Sequence, residues 1–265
     1  MEIIYRLLKR IICPVLLPVL LLFSCKKETP AVVTNQPVVQ AYLIPGTVLT
    51  VKLYKQKVLT DTSTFGPAIP GQKLSVSDGT TTVSLTETSK GVYTYADTTF
   101  LVTGKTYTLS FVYNSVTVSA KTTMPAKPVG FTTLYDSTEY TSGINGATDT
   151  VDRFTWQNPD SLNHILVFVG LDGKDFPVNS YFNGSTSFEE NTKQKSVYYV
   201  LPGIFTYYAH YNVYLYTVNQ EYITLLNYNT SGSNSQNLLD APTNVVNGLG
   251  IFTAMQGEMV QFGFL

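Results

Sequence analysis

The chain has 265 residues, with 17 Lys and Arg against 18 Asp and Glu, a formal charge of −1. That balance leaves no basic surplus, which argues against nucleic acid as the partner. Two cysteines are too few for a disulfide framework, and the 19 Tyr and 14 Phe beside a single Trp mark a chain rich in strand formers.

In chain order, Arg6, Lys9 and Arg10 supply a basic start and Ile11 to Phe23 an apolar run. The run is short for a bilayer span and carries Pro14 and Pro18, so it reads as a signal segment and not a spanning helix. Leu22-Phe23-Ser24-Cys25 ends it in the pattern of a bacterial lipobox. Cys25 is then the lipidated first residue of the mature protein, because its thiol can be converted to a thioether. Residues 1–24 are the signal peptide and residues 25–37 a lipidated tether, starting with Lys26-Lys27-Glu28-Thr29-Pro30. Removing residues 1–24 leaves 14 basic and 17 acidic side chains, about −3, and no free thiol, since Cys13 goes and Cys25 is modified.

Residues 38–125 read as short strands with turns between them. Val38 to Ile44 and Val48 to Tyr54 flank a Pro45-Gly46 turn, and Leu74 to Val76 and Val83 to Leu85 flank Asp78-Gly79. Gly91 to Tyr95 adds another strand. After Gly104-Lys105, Tyr107, Leu109, Phe111 and Tyr113 alternate strictly, and Val116, Val118 and Ala120 follow the Asn114-Ser115 turn. About seven strands in this length predict an immunoglobulin-like β-sandwich. Pro125 to Pro128 reads as a linker.

Residues 126–265 read as a second β-rich domain, a sandwich or a barrel-like sheet. Arg153 to Gln157 carries Trp156, and Ile165 to Val169 is an unbroken apolar run expected to be buried on both faces. Phe176 to Lys195 reads as a polar surface loop or short hairpin. From Phe205 to Thr217 two faces alternate, with Tyr211, Val213 and Leu215 on one and Tyr208, His210, Asn212, Tyr214 and Tyr216 on the other. The period then changes, predicting one helix over 218–228 with a capping box from Thr217 and Gln220. Gly250 to Thr253 and Met259 to Phe264 read as two closing strands. The fold class expected is mainly β, with two successive sandwiches and one short helix.

Leu74-Ser75-Val76-Ser77-Asp78-Gly79 followed by Gly91-Val92-Tyr93, the helix after Thr217, and Pro242-Thr243-Asn244-Val245-Val246-Asn247-Gly248-Leu249-Gly250-Ile251-Phe252 stand out together. In these three features the chain resembles an uncharacterised family of Bacteroidetes lipoproteins defined only as a domain of unknown function. The resemblance covers nearly all of the mature chain. It implies an outer-membrane accessory role beside TonB-dependent receptors. It implies no reaction and no catalytic residue.

No side-chain constellation contradicts that expectation. His164 and His210 are the only histidines, too few for a zinc site without free cysteine. Asp172-Gly173-Lys174-Asp175 has the flavour of a calcium loop but too few ligands. Glu189 and Glu190 are adjacent and point apart, a poor acid–base pair. No G-x-S-x-G elbow supports a hydrolase. The sequence therefore predicts no catalytic residue, no metal and no cofactor. The partners expected are a membrane reached through lipid on Cys25 and a TonB-dependent outer-membrane receptor, with no nucleic acid. A surface module that binds glycan or peptide through Tyr208, Tyr214 and Tyr216 is the alternative.

Overall fold

Alternating apolar residues and well-placed turns build the first half strand by strand. A computed structural model describes residues 36–57, 63–139, 152–172, 177–178, 184–230 and 242–265. Strand β1 (Pro37–Leu43) turns at Gly46, whose φ is +80°, into β2 (Leu49–Lys55). There follow β3 (Ser75–Ser77), β4 (Thr82–Ser84), β5 (Thr86–Ser89), β6 (Val92–Tyr95), β7 (Thr106–Tyr113) and β8 (Val116–Thr123). The hairpin of β3 and β4 turns where Asp78 Oδ1 accepts from the backbone N–H groups of Thr80 and Thr81. Those bonds hold the Asp78 carboxyl well below the usual carboxylate range.

The eight strands form two facing layers, ordered β1-β2-β6-β5 and β4-β3-β7-β8. This is the A-B-E-D and C′-C-F-G arrangement of an immunoglobulin-like sandwich, as the alternation predicted. Val39, Val51, Leu53, Tyr93, Tyr107 and Leu109, each with no exposed surface, fill the space between the layers. Tyr107, at the start of the F-equivalent strand β7, sends its hydroxyl back to the chain before it. It donates to the Phe100 carbonyl at 3.0 Å and accepts from the Val102 N–H at 2.6 Å. This is the tyrosine corner of such sandwiches.

The second half repeats the plan. Its strands are β9 (Val129–Thr133), β10 (Ser137–Thr138), β11 (Asp152–Gln157), β12 (Asn163–Gly170), β13 (Ser187–Lys193), β14 (Val197–Val200) and β15 (Ala209–Val218). Then come helix α1 (Gln220–Thr230), β16 (Val245–Val246) and β17 (Leu249–Phe264). The sheet β14-β11-β9 faces the run β13-β12-β15-β17, which is A-B-E against C′-C-F-G once more. Phe154, Phe168, Val213, Leu215, Phe262 and Phe264 are buried between them, with Phe205 stacked on Phe264 at 4.3 Å. Tyr211 on the F-equivalent β15 donates to the Tyr207 carbonyl at 2.6 Å, a counterpart of the Tyr107 bond. Burial pushes the Tyr211 phenol up to about 12. A sandwich, and not a barrel, is the architecture of the described strands.

Strand β17 joins the two sandwiches. Residues 249–254 pair in parallel with β1 of the first, and residues 255–264 pair antiparallel with β15 of the second. The expected pair of closing strands is thus one strand of 16 residues. The expected boundary at 125/126 does not separate the cores, because Val245, Phe252 and Ala254 are buried in the first core. Residues 35–265 form one compact unit. Two side chains at the start of α1 strengthen this junction. Asn219 donates to Thr122 Oγ1 at 3.0 Å and to the Thr123 carbonyl at 2.8 Å, both on β8. Glu221 Oε1 accepts from Thr122 at 2.7 Å and from Thr253 at 3.1 Å.

The turn between β16 and β17 accounts for the Asn-Gly motif near the C-terminus. Asn244 exchanges two hydrogen bonds with the Phe252 backbone, and Asn247 donates to the Thr117 carbonyl at 2.9 Å. Gly250 has φ +93°, and a Cβ there would lie 2.0 Å from the Val39 carbonyl oxygen.

The helix forms where its period predicted it, shifted to Gln220–Thr230, but without the Thr217 capping box. Strand β15 runs on through Val218, so Thr217 is buried in the sheet with its hydroxyl 3.2 Å from His164 Nε2. The Asn219 carbonyl accepts the first helical bonds instead, from Tyr222 and Ile223. The loop or hairpin expected over Phe176 to Lys195 contains β13, which pairs with β12. Residues 176 and 179–183 of that stretch, and residues 173–175 before it, lie outside the described residues.

Candidate functional site

The outer face of the second sandwich carries β15 residues of alternate parity, as the sequence pattern required. His210 is exposed, and Asn212, Tyr214 and Tyr216 are half-buried along it. Tyr214 and Tyr216 are two apart on the strand, and their rings lie nearly parallel, 5.9 Å between centroids. Burial pushes the Tyr216 phenol above its ordinary range, and the neighbouring Tyr214 adds to that.

Gly257 on β17 sits opposite Tyr216, and a Cβ there would come within 2.7 Å of the Tyr216 ring. The missing side chain lets that ring lie against the backbone of β17. The two tyrosines, with Ile44, Pro45, Met259 and the ion pair Lys127–Glu258 at 3.0 Å, line an open groove of about 560 Å³.

Tyr208 stands apart from this pair. It precedes β15 and lies face to face with Phe264 at 5.3 Å, packed against the second core. The expected three-tyrosine surface is therefore a two-tyrosine surface plus one core-side ring. At the other end, Tyr216 belongs to a small apolar cluster with Ile165, Ile223 and Tyr222, so α1 covers part of the face.

A second groove, about 890 Å³, runs past His210, Asp136, Ser137, Leu171 and Met259 to Leu265. Asp172 Oδ2 accepts from the His210 backbone at 2.7 Å and lies 2.9 Å from its ring Nδ1. These bonds hold the Asp172 carboxyl below its usual range. Of the Asp172-Gly173-Lys174-Asp175 stretch with its calcium-loop flavour, Asp172 is thus bonded to His210, and residues 173–175 lie outside the described residues. Both side chains are exposed, so the contact has small energetic weight.

His164 is buried over Trp156, with Nδ1 3.0 Å from the Leu162 carbonyl. Its surroundings depress its pKa, chiefly through desolvation. Glu189 and Glu190 alternate on β13 and point apart. Glu189 accepts from the Tyr222 hydroxyl at 2.8 Å, and burial raises its pKa. Among the described residues no three His, Cys, Asp or Glu come close enough to hold a metal. No described helix is long and apolar enough to cross a membrane, which says nothing of strands. Cys25 lies outside the described residues.

Lys127, Gly257, Glu258 and Met259 complete the tyrosine groove, and the pattern of the sequence did not single them out. Gly257, Glu258 and Met259 reach Tyr216 through the pairing of β15 with β17, and Lys127 through its ion pair with Glu258, neither of which local spacing encodes.

The two sandwiches, each with an F-strand tyrosine bonded to its own preceding chain, define a tandem immunoglobulin-like β-sandwich protein. The chain belongs to the family described as Domain of unknown function (DUF4249), whose pattern matches residues 26–259. No curated protein matches it. Among solved structures it is similar to the chicken CNTN1 FN1-FN3 domains at 11% identity and a TM-score of 0.28, covering 69% of this chain. The chain spans 59% of that contactin segment. It is similar also to a two-domain fibronectin type-III segment of chicken tenascin, at 11% identity and a TM-score of 0.24, covering 85% of this chain and 99% of that one.

Proposed function

We propose that the protein is a lipid-anchored accessory lipoprotein of the bacterial outer membrane that acts without catalysis beside a TonB-dependent receptor in nutrient uptake. The observation that carries this reading is the Leu22-Phe23-Ser24-Cys25 lipobox, followed by a short polar stretch that leads into β1 at Pro37. A thioether-linked lipid with further acyl chains holds a protein at a bilayer, since each buried CH₂ contributes about 0.8 kcal/mol. The two sandwiches, sharing β17, are then the body that the lipid tethers. Replacing Cys25 by Ser tests the anchor. Radiolabelled palmitate enters the wild type and not C25S, and C25S leaves the membrane fraction. Equal labelling of both proteins counts against the reading.

The groove beside Tyr214 and Tyr216 favours a second reading, a surface module for glycan or peptide. Parallel phenol rings at a strand face offer apolar area with hydroxyl groups at its rim, which suits amphipathic ligands.

A further inference from the structure

The outer edge of β17 is interrupted. On the side away from β15, β1 pairs as far as Ala254, and β10 pairs again from Gly263. Both partners run parallel to β17. Between them lie residues 255–262, about 26 Å of strand with no partner on that side among the described residues.

Strand direction fixes which groups face the gap. The N–H groups of Gly263 and Leu265 donate outward, to the carbonyls of Asp136 and Thr138. The register with β15 has no shift, so Gly257, Met259 and Gln261 direct their N–H and C=O groups the same way. Buried ladder groups are nearly always paired, and exposed edges are commonly blunted by Pro, Lys or a bulge. Residues 256–262 contain none of these, and Glu258 is their only charge. The gap also has room beside it. Both grooves border this edge: Gln256 to Met259 line one, and Met259 to Gly263 line the other. Met259, shared by both, is 46% exposed.

The geometry points to a peptide-binding edge, at which an extended segment of a partner protein adds a strand between β1 and β10. Its main chain pairs with Gly257, Met259 and Gln261. Its alternate side chains enter the two grooves, one beside Tyr216 and Pro45, the other beside Phe131 and Ser137. A second folded copy does not fit as well, because β1 and β10 close the gap at both ends and leave room for about eight residues, half the 16-residue β17 of another copy, whereas a free segment can leave the sheet at either end. The apolar rims of both grooves favour uncharged side chains in the visitor. This inference rests on the binding-module reading and is independent of the lipid on Cys25.

The test is residue-resolved hydrogen exchange on the full-length protein in detergent. In the free protein the amides of Gly257, Met259 and Gln261 exchange at least about 100-fold faster than those of Glu258, Val260 and Phe262. Adding a decapeptide of alternating Val and Thr at about 1 mM slows the three odd-numbered amides selectively. Met259→Pro removes one outward donor at a position where an edge strand tolerates proline, and it weakens the peptide about fivefold or more. A control that leaves the protein untouched uses the same peptide N-methylated at alternate residues. Of its two versions, one binds and the other does not.

Slow exchange of the odd amides in the free protein overturns the proposal, because the edge is then already closed. So does exchange that the peptide leaves unchanged, or equal binding of both N-methylated versions. Protection that rises with protein concentration alone makes the edge a self-association site and likewise overturns it. Ligand binding that Tyr214→Ala abolishes while the β17 amides stay unprotected leaves the binding-module reading standing, so a failure here is distinguishable from a failure of that reading.

Discussion

Tyr107 shows how one side chain fixes a corner of the fold. Its ring has no exposed surface, and its hydroxyl satisfies both the Phe100 carbonyl and the Val102 N–H. Tyr107→Phe keeps the ring and removes both bonds, so urea denaturation of the variant reads a loss of about 1–3 kcal/mol. His164 gives a pH signature. Its folded pKa lies below the ordinary 6.5 because burial disfavours the charged ring. Below that value the unfolded chain takes a proton that the folded chain resists, so stability is full above it and falls as pH drops toward the folded pKa. His164→Gln flattens stability measured between pH 7.5 and 5.5, on the order of the His titration range. The β15 tyrosine alternation was legible in the sequence, and Tyr214 and Tyr216 stand on the face it named. Tyr208 was assigned to the same face by parity alone. It lies one residue before the strand begins, where stacking on Phe264 decides its place.

At the scale of elements, β17 matters most. Its first part closes on β1 only because Gly250 adopts a left-handed backbone and leaves space for the Val39 carbonyl. Gly250→Ala meets both obstacles, and denaturation of the variant shows a loss of at least about 3 kcal/mol. Gly46→Ala, in open space at a similar φ, costs less in the same experiment. The strands of the first half were readable because turn residues and period-two alternation both declare them. The helix was readable from its change of period. Its cap was not, because Thr217 suits a capping box as well as a buried strand, and only the reach of β15 decides between them. The continuity of β17 was hidden for a similar reason. Gly257 and Glu258 interrupt the apolar pattern just where burial gives way to the open edge.

The whole molecule is two sandwiches of one plan sharing a strand. The repeated strand plan left traces in the sequence, the period-two runs that start at Tyr107 and at Phe205, but the parallel pairing of β1 with β17 joins residues about 210 apart and has no local signal. Asn219 and Glu221 add a polar latch across the same junction. In the function proposed above, the lipobox at Cys25 would serve attachment and the open edge of β17 recognition. The most direct measurement is purification of the full-length lipoprotein from outer membranes in mild detergent, with the stoichiometry of co-purifying proteins read by quantitative mass spectrometry. The account predicts a TonB-dependent receptor at near-equal amounts from wild-type membranes, and loss of that receptor with C25S. A protein that purifies alone in every mild detergent, with wild type and C25S indistinguishable, would contradict it.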